Sequence, residues 1–571
     1  MRWLPDNINV IIDSQELPTA TLVSLDLEYS EDSNELVWVG MFDGSSYYGY
    51  SSVSEFLLRY LRQVNWLIHD GIHAELPVLN RLFGGFRVEQ IVADTKVLGY
   101  TFDSTLRDWG LKSLAKRYLG LEWSSYKELK KQYKFKSIGE LDKDVLVQYN
   151  GMDCIATWRL WEFYRKNFNQ NQWNFYNNIE LPTTKLLYEM ESKGILIDTK
   201  EVRRLHNEAS KKRRQAKKRL FELAGHSFNP NSPKQVLPLL REGGAAVTKT
   251  DEDTIKKYRH IPLVSELLTY RGLNKVCTTY TIPLYTNAIG SSDGRIHTRF
   301  GQNTQTGRLS SSDPINLQNQ PPAIKSAFVA KEGHSFVEAD WSNLEWRIPG
   351  HFSGDPAIIE ELSKRDGDIH RQTARLMFGQ SVSDEQRRIA KTCNFLLTNS
   401  GRAKRLAQEL GCSYKDADDI FKRFWAGYSV LGQWTKETKE QAKRDGYVRT
   451  MFGRTVSLPG LRSWCGRSNC PVVAKDYFCK ECFKREETER EAVSVRVQGS
   501  GADLIKLAML RLYKEYRYIP VLSVHDSGLW EIEDDKIEEA KERIKYVFEN
   551  LVDLKGPLFC TIGVGKNWGD C

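Results

Sequence analysis

Asp26 and Glu28 stand two residues apart inside Thr21-Leu-Val-Ser-Leu-Asp-Leu-Glu28, a stretch that otherwise reads as a buried strand. Alternation along a strand sends both carboxylates to one face. Two unpaired acids in an apolar strand are costly unless a cation compensates them. The chain must therefore cover this strand and still bring a counter-charge to it. A turn at Glu31-Asp-Ser-Asn34 and a second strand near Leu36 follow. Helical patterns come next at 52–63, 75–83 and 141–165, an α/β layout. Tyr149 and Asp153 lie four apart in the last of these, so they share a helix face.

With 571 residues the chain is too long for one core, so several domains are expected. No apolar run reaches the roughly 18–20 residues that span a bilayer, and Met1-Arg-Trp-Leu-Pro-Asp6 lacks a signal-peptide pattern. A cytoplasmic location is expected. The net charge of +8 is compatible with a polyanionic partner without demanding one. Charge-rich helices fill 185–285, with Lys211-Lys-Arg-Arg-Gln-Ala-Lys-Lys-Arg219 as the strongest basic run. Such a run is usually a solvated face, but it also suits a phosphate backbone.

A second constellation lies further along. Arg387, Lys391 and Phe395 are spaced to form a row on one helix face, two cations and a ring. Two cations suit a triphosphate, and a flat ring suits a sugar and base. Asp340 ends a strand before a helix, and Asp526 lies at a tight turn between two strands in Ile519-Pro-Val-Leu-Ser-Val-His-Asp-Ser527. Two aspartates from separate strands can hold two divalent cations roughly 3.5–4 Å apart, as in-line phosphoryl displacement requires. Hard oxygen ligands favour Mg²⁺. Together these residues suggest a nucleotidyl-transfer site.

Four of the ten cysteines cluster as Cys465-x₄-Cys470-x₈-Cys479-x₂-Cys482. In a reducing compartment this spacing argues for a metal and not for disulfides. Zn²⁺ held by four thiolates is the expected occupant, with a structural role because no ligand position stays open. The surrounding Arg462, Arg467, Lys475, Lys480, Lys484 and Arg485 are compatible with a DNA contact.

Over residues 180–571 the chain resembles the polymerase domain of family A DNA polymerases. The resemblance is carried by Thr306-Gly-Arg308-Leu-Ser-Ser-Ser-Asp-Pro-Ile-Asn-Leu-Gln-Asn319, Asp340 to Arg347, Arg387 to Phe395, Gln498-Gly-Ser-Gly-Ala-Asp503 and Val524-His-Asp526. Phe228-Asn-Pro-Asn-Ser-Pro-Lys234 resembles a thumb sequence. Asp-x-Glu at 26–28, then His69-Asp-Gly-Ile-His-Ala-Glu75, then Tyr149-x-x-x-Asp153 resemble the DEDDy 3′–5′ exonucleases that precede such polymerases.

The resemblance implies a ribonuclease H-like exonuclease domain over 1–170 and a right-hand polymerase domain over 171–571. Within the latter, the thumb would cover about 185–290, the palm about 291–350 and 445–571, and the fingers about 351–444. An inserted zinc loop would run over about 462–486. Asp340 and Asp526 would hold two Mg²⁺ ions. Arg387, Lys391 and His370 would contact the dNTP triphosphate, and Lys391 would donate a proton to pyrophosphate. Phe395 would stack beside the sugar, and Glu345 would exclude a ribose hydroxyl. Arg308, Gln498 and Arg490 would contact DNA, the first two reaching acceptors common to all pairs in the minor groove. In the exonuclease, Asp26, Glu28 and Asp153 would hold two metals, Glu75 would be the fourth acid, and Tyr149 would orient the attacking water.

Some positions depart from the family pattern. Leu396 stands where glycine is usual, Asn399 replaces a tyrosine, Ser527 replaces a glutamate and Asn343 a glutamine; Asp70 and Glu75 replace an asparagine and an aspartate. The expected protein is a monomeric, phage-replicase type DNA polymerase acting in a host cytoplasm, without a 5′-nuclease domain or a thioredoxin-binding insertion. Its alternatives are a lesion-tolerant polymerase, a catalytically silent zinc-containing DNA scaffold, and a single-subunit RNA polymerase; Glu345 argues against the last.

Overall fold

The strand with the paired acids, β2 (Leu22–Tyr29), lies inside a six-stranded sheet. Its companions are β1 (Asn9–Ile12), β3 (Leu36–Phe42), β4 (Ser46–Tyr50), β5 (Asn65–Ile68) and β6 (Ile91–Asp94), in the order β1-β4-β3-β2-β5-β6. β2 runs antiparallel to β3 and parallel to β5. The computed structural model describes residues 3–30, 35–398, 401–467, 470, 473–474 and 477–571; the turn expected at 31–34, together with Asn399 and Lys475, lies outside these.

Helices α1 (Glu75–Leu82), α2 (Thr95–Phe102), α3 (Leu111–Leu119) and α4 (Lys143–Asn167) cover this sheet. Val23, Leu25 and Leu27 of β2 enter one apolar core. The alternate residues Ser24, Asp26 and Glu28 face α4, and the buried Ser24 hydroxyl donates to the Cys154 carbonyl. The expected period-two pattern therefore holds, with a helix and not solvent on the acidic side.

α5 (Leu181–Lys193) leads to a helical arm that includes α6 (Thr199–Ala224) and α7 (Pro262–Lys275). A second sheet, ordered β8-β9-β7-β10, is built from β7 (His334–Trp341), β8 (Pro520–Val524), β9 (Ser527–Glu533) and β10 (Cys560–Gly565), all antiparallel neighbours. Between β7 and β8 the chain makes a helical lobe with α8 (Leu344–Ser353), α9 (Ile369–Phe378), α10 (Asp384–Thr398), α11 (Tyr414–Gly427) and α12 (Ser429–Asp445). α13 (Lys480–Tyr516) then runs 37 residues without a break. The loop expected over 462–486 is thus shorter, because the chain is already helical from Lys480 onward. Among the described residues, no helix is long and apolar enough to cross a membrane.

One apolar cluster joins both sheets. It passes from Val23 and Leu25 through Leu186, Leu187 and Met190 of α5 to Phe336 and Val337 of β7. A buried polar network crosses the same seam. Lys506 donates to both Glu180 oxygens at 2.8 and 3.0 Å, with both side chains fully buried. Arg454 Nε donates to Asp503 at 3.1 Å, and Arg454 Nη1 reaches the Tyr100 hydroxyl of α2 at 3.3 Å. Arg454 also donates to the Thr306 carbonyl. Gly307 takes φ +79° directly against this guanidinium, where a Cβ would collide with Arg454 Cζ at 2.6 Å. The loop carrying Arg308 is therefore seated on a buried charge.

Removing one member of a buried pair leaves the other uncompensated, at a cost of about 3–5 kcal/mol. Lys506→Met should lower unfolding free energy by about that amount in denaturant titrations, and Glu180→Leu combined with Lys506→Met should recover most of it.

Candidate active sites

The acid cluster of the first sheet forms where β2 meets α4 and the start of α1. One carboxylate oxygen each from Asp26, Glu28 and Asp153 lie within 4.8 Å of one another. Glu75, first residue of α1, is buried beside them, and its Oε2 has no hydrogen-bond partner among the described residues. Burial first, then mutual repulsion, raises the acids: Glu28 is pushed up to about 8, with the Asp153 charge as the next cause. Asp26 is driven well up by burial and Glu28, and Glu75 by burial and Asp26. An all-carboxylate set with an orphaned buried oxygen fits a hard divalent cation.

Asn150 braces this cluster and was missed in the sequence. Its Nδ2 donates to Asp26 Oδ2 at 2.6 Å, and its Oδ1 accepts from the Tyr47 hydroxyl at 2.7 Å. Gly40 pairs with Asp26 across β3, and a Cβ there would lie 1.6 Å from Asn150 Oδ1. In the sequence Asn150 stands among the polar residues Gln148, Tyr149 and Asp153, and nothing local singles it out. Lys112 and Trp123 were also missed. Lys112 Nζ lies 2.9 and 3.1 Å from the Asp153 oxygens and 3.4 Å from the Tyr149 hydroxyl, and Trp123 Nε1 donates to Asp153 at 2.7 Å. Lys112 touches both Tyr149 and Asp153, so these two share a helix face as expected.

Asp70 turns away to bond Lys96 at 2.6 Å and His73 at 2.8 Å. His73 also bonds Glu191 of α5 at 3.0 Å, and Glu191 accepts from the Phe300 amide. This is a latch between the two halves. Burial alone would depress His73, but the bonds to Asp70 and Glu191 outweigh it and carry its pKa up to about 9.

At the second sheet, Asp340 is register-paired with Ser527, the neighbour of Asp526. Val524 pairs with Ser527, so His525 and Asp526 form a two-residue hairpin loop. His525 takes φ +55°, the left-handed conformation that two-residue hairpin loops require and that histidine adopts more readily than most residues. The Ser527 hydroxyl donates to the Val524 carbonyl at 3.0 Å and closes the turn. Burial, then the charges of Asp526 and Glu338, push Asp340 up to about 7. Asp526 is raised by burial, with Glu345 adding to the effect. Arg308 lies 3.5 Å from Glu345. Asn343 caps this corner at φ +57°, which asparagine tolerates better than most residues.

The cation row of α10 sits beside α9. Asp368 caps α9 by accepting from the His370 and Arg371 amides, and its Oδ2 accepts from Arg387 Nε at 2.6 Å. His370 bonds Asn394 at 2.8 Å, which ties the two helices together. Burial, modified by the charges of Asp368, Arg387 and Lys391, keeps His370 below the usual histidine range. Lys391 is exposed, and the Phe395 ring is 67% exposed. Leu396 packs against the core, and its carbonyl accepts from the Gly401 amide at 2.7 Å. Gln498 and Arg490 both lie on α13. The four sulfurs of Cys465, Cys470, Cys479 and Cys482 lie within 4.8 Å of one another, which a tetrahedral thiolate site with Zn–S near about 2.3 Å can satisfy.

Two acid groups thus lie on separate sheets, and a helix bearing two cations lies in the lobe that the chain makes between strands of the second. Residues 199–570 match the DNA polymerase family A model, and the chain belongs to that family. It is 36% identical over 417 residues to the thermostable DNA polymerase I of Thermus filiformis, covering 69% of this chain and 48% of that protein. It is 29% identical over 605 residues to DNA polymerase I of Pseudomonas aeruginosa, covering 97% and 64%. The chain thus spans about half the length of the first of these relatives and 64% of the second. The polymerase domain of Pol1 from M. smegmatis, solved in complex with DNA primer-template and dNTP, superposes with TM-score 0.82 at 26% identity, covering 96% of each chain.

The His73 latch has a definite pH dependence. His73 is protonated in the fold up to about pH 9 but in the unfolded chain only up to about 6.5. Its contribution is therefore complete below about pH 6.5 and is lost as pH rises through about 9. His73→Ala should lower the melting temperature at pH 6.5, with the difference from wild type shrinking above pH 9 in scanning fluorimetry.

Proposed function

We propose that this chain is a template-directed DNA polymerase that adds dNTPs to a primer 3′ end and edits with a 3′–5′ exonuclease on its N-terminal unit. The observation that carries polymerisation is the juxtaposition of Asp340 with the hairpin of Asp526, in a chain of family A. These two carboxylates would hold Mg²⁺, which when bound neutralises charge on the phosphates and lowers the pKa of an attacking hydroxyl. Arg387 and Lys391 neutralise the triphosphate from one side, with Arg387 aimed by Asp368. Lys391, exposed and cationic, is the group to protonate departing pyrophosphate. Phe395 presents its ring to the sugar, and Glu345, held beside Arg308, blocks a ribose hydroxyl. The arm of α6 and α7 serves as thumb, the second sheet with α13 as palm, and the lobe of α9 to α12 as fingers. Arg308, Gln498 and Arg490 contact primer-template DNA.

In the editing site Asp26, Glu28, Glu75 and Asp153 would hold Mg²⁺, with Asn150 orienting Asp26. Burial and neighbouring acids keep the Tyr149 phenol protonated, so it donates a hydrogen bond to the attacking water. The four cysteines would hold a structural Zn²⁺. Leu396 and Ser527 are absorbed by local packing and hydrogen bonding, which favours ordinary DNA synthesis over a lesion-bypass role. The intact acids of both sites argue against a silent scaffold. The relatives named above are bacterial, and no described feature favours a phage source over a bacterial one.

Asp526→Asn should reduce primer extension by about a thousandfold or more while sparing degradation of single strands. Asp26→Ala should do the reverse; equal loss of both activities in either variant would refute the two-site assignment. Purified wild-type protein should contain about one zinc per chain by mass spectrometry, and Cys479→Ser should contain none.

A further inference from the structure

Phe300 and Gly301 pair antiparallel with Ser311 and Ser310, so Arg308 rides on a hairpin closed between these residues. The base of the hairpin is held by α5. Glu191 accepts from the Phe300 amide at 2.6 Å, and Gln302 Nε2 donates to the Thr184 hydroxyl at 3.0 Å. Its tip is held by the N-terminal unit. The Tyr100 hydroxyl of α2 donates to the Thr304 carbonyl at 2.8 Å, and the same carbonyl accepts from the Gly307 amide at 2.9 Å. The Thr304 hydroxyl in turn donates to the Arg308 carbonyl at 2.8 Å. Thr304 therefore joins Tyr100 to the backbone of Arg308.

Tyr100 has little freedom of its own. Its side chain is buried, its ring meets Trp109 edge-on at 5.8 Å, and its hydroxyl accepts from Arg454 Nη1 at 3.3 Å. That guanidinium, anchored on Asp503, also donates to the carbonyls of Gln305 and Thr306. Three consecutive carbonyls of the tip are thus taken by Tyr100 and Arg454. The start of α2 is fixed as well, because its cap Asp94 accepts from the Asp70 amide at 3.2 Å. Only the guanidinium end of Arg308 reaches outward, toward Glu345 at 3.5 Å. A cation aimed at minor-groove acceptors common to all correct pairs tests their position only if its mount cannot follow a displaced acceptor. A shift of roughly 1 Å in such a group can change a rate by about a hundredfold.

We propose that Tyr100 is a positioning residue for DNA synthesis, acting through Thr304 on Arg308, and that the N-terminal unit thereby sets how strictly a mispaired primer end is refused. The inference rests on the DNA polymerase reading above. This contribution to accuracy uses none of the carboxylates of the N-terminal unit, and it persists when excision is abolished.

The test uses the full chain carrying Asp26→Ala as parent, so that excision does not remove a mispair. Extension of matched and mispaired primer ends on one template gives the discrimination ratio, and melting temperatures are taken on the same samples. Tyr100→Phe and Thr304→Val should each keep matched extension within about threefold of the parent and lower discrimination by about five- to tenfold. Arg308→Ala should lower it at least as far, and adding Tyr100→Phe to Arg308→Ala should change it by less than about twofold, since both act on one group. Should Tyr100→Phe melt well below the parent, Thr304→Val, which leaves the buried ring in place, decides alone. Unchanged discrimination in Thr304→Val or in a stably folded Tyr100→Phe overturns the proposal, as does a full multiplicative effect of Tyr100→Phe on Arg308→Ala. Failure of the parent to extend matched ends overturns the polymerase reading with it.

Discussion

The buried charges at the seam between the two sheets are the constraint from which the rest of the architecture follows. Lys506 with Glu180, and Arg454 with Asp503, are desolvated pairs that tolerate little displacement. Arg454 touches Tyr100 from the first unit and the loop before Arg308 from the second. The acids of the first sheet, the hairpin of Asp526 and the residue paired with Glu345 are thereby referred to one rigid point. Such pairs add little net stability over an apolar substitute, but they tolerate few alternative arrangements.

Both acid clusters exploit a second constraint, the cost of crowding like charges away from water. In the first sheet, Glu28 and its neighbours are raised by burial and by one another. In the second sheet, Asp340 responds to Asp526 in the same way. The two solutions differ in their scaffolds. The acids of the first sheet come from a strand and two helices and are braced by an asparagine, so their positions are fixed by packing. Those of the second sheet come from a strand end and a two-residue hairpin, where register pairing does the positioning and the left-handed His525 makes the turn.

The local elements were legible in the sequence. The strand at 22–29, the helix after Glu75, the helix carrying Tyr149 and Asp153, and the 520–533 hairpin all carry short-range periodicity or turn chemistry that survives folding. The cysteine spacing was equally readable. What sequence could not reveal are partners brought together by topology: Asn150 against Asp26, Lys112 and Trp123 against Asp153, Glu180 against Lys506, and His73 against Glu191. None has a local periodicity, and each reads by itself as an ordinary polar side chain. The extent of α13 was missed for a related reason, since the clustered cysteines disguise a helix start as the end of a loop.

The continuous apolar cluster through α5 carries an evolutionary implication. Val23 and Leu25 share one interior with Phe336 and Val337, so the N-terminal unit is a structural support for the rest of the chain. A lineage could erase every carboxylate of the first sheet and still be compelled to inherit the scaffold around them, because discarding it would strip the covering from the other half.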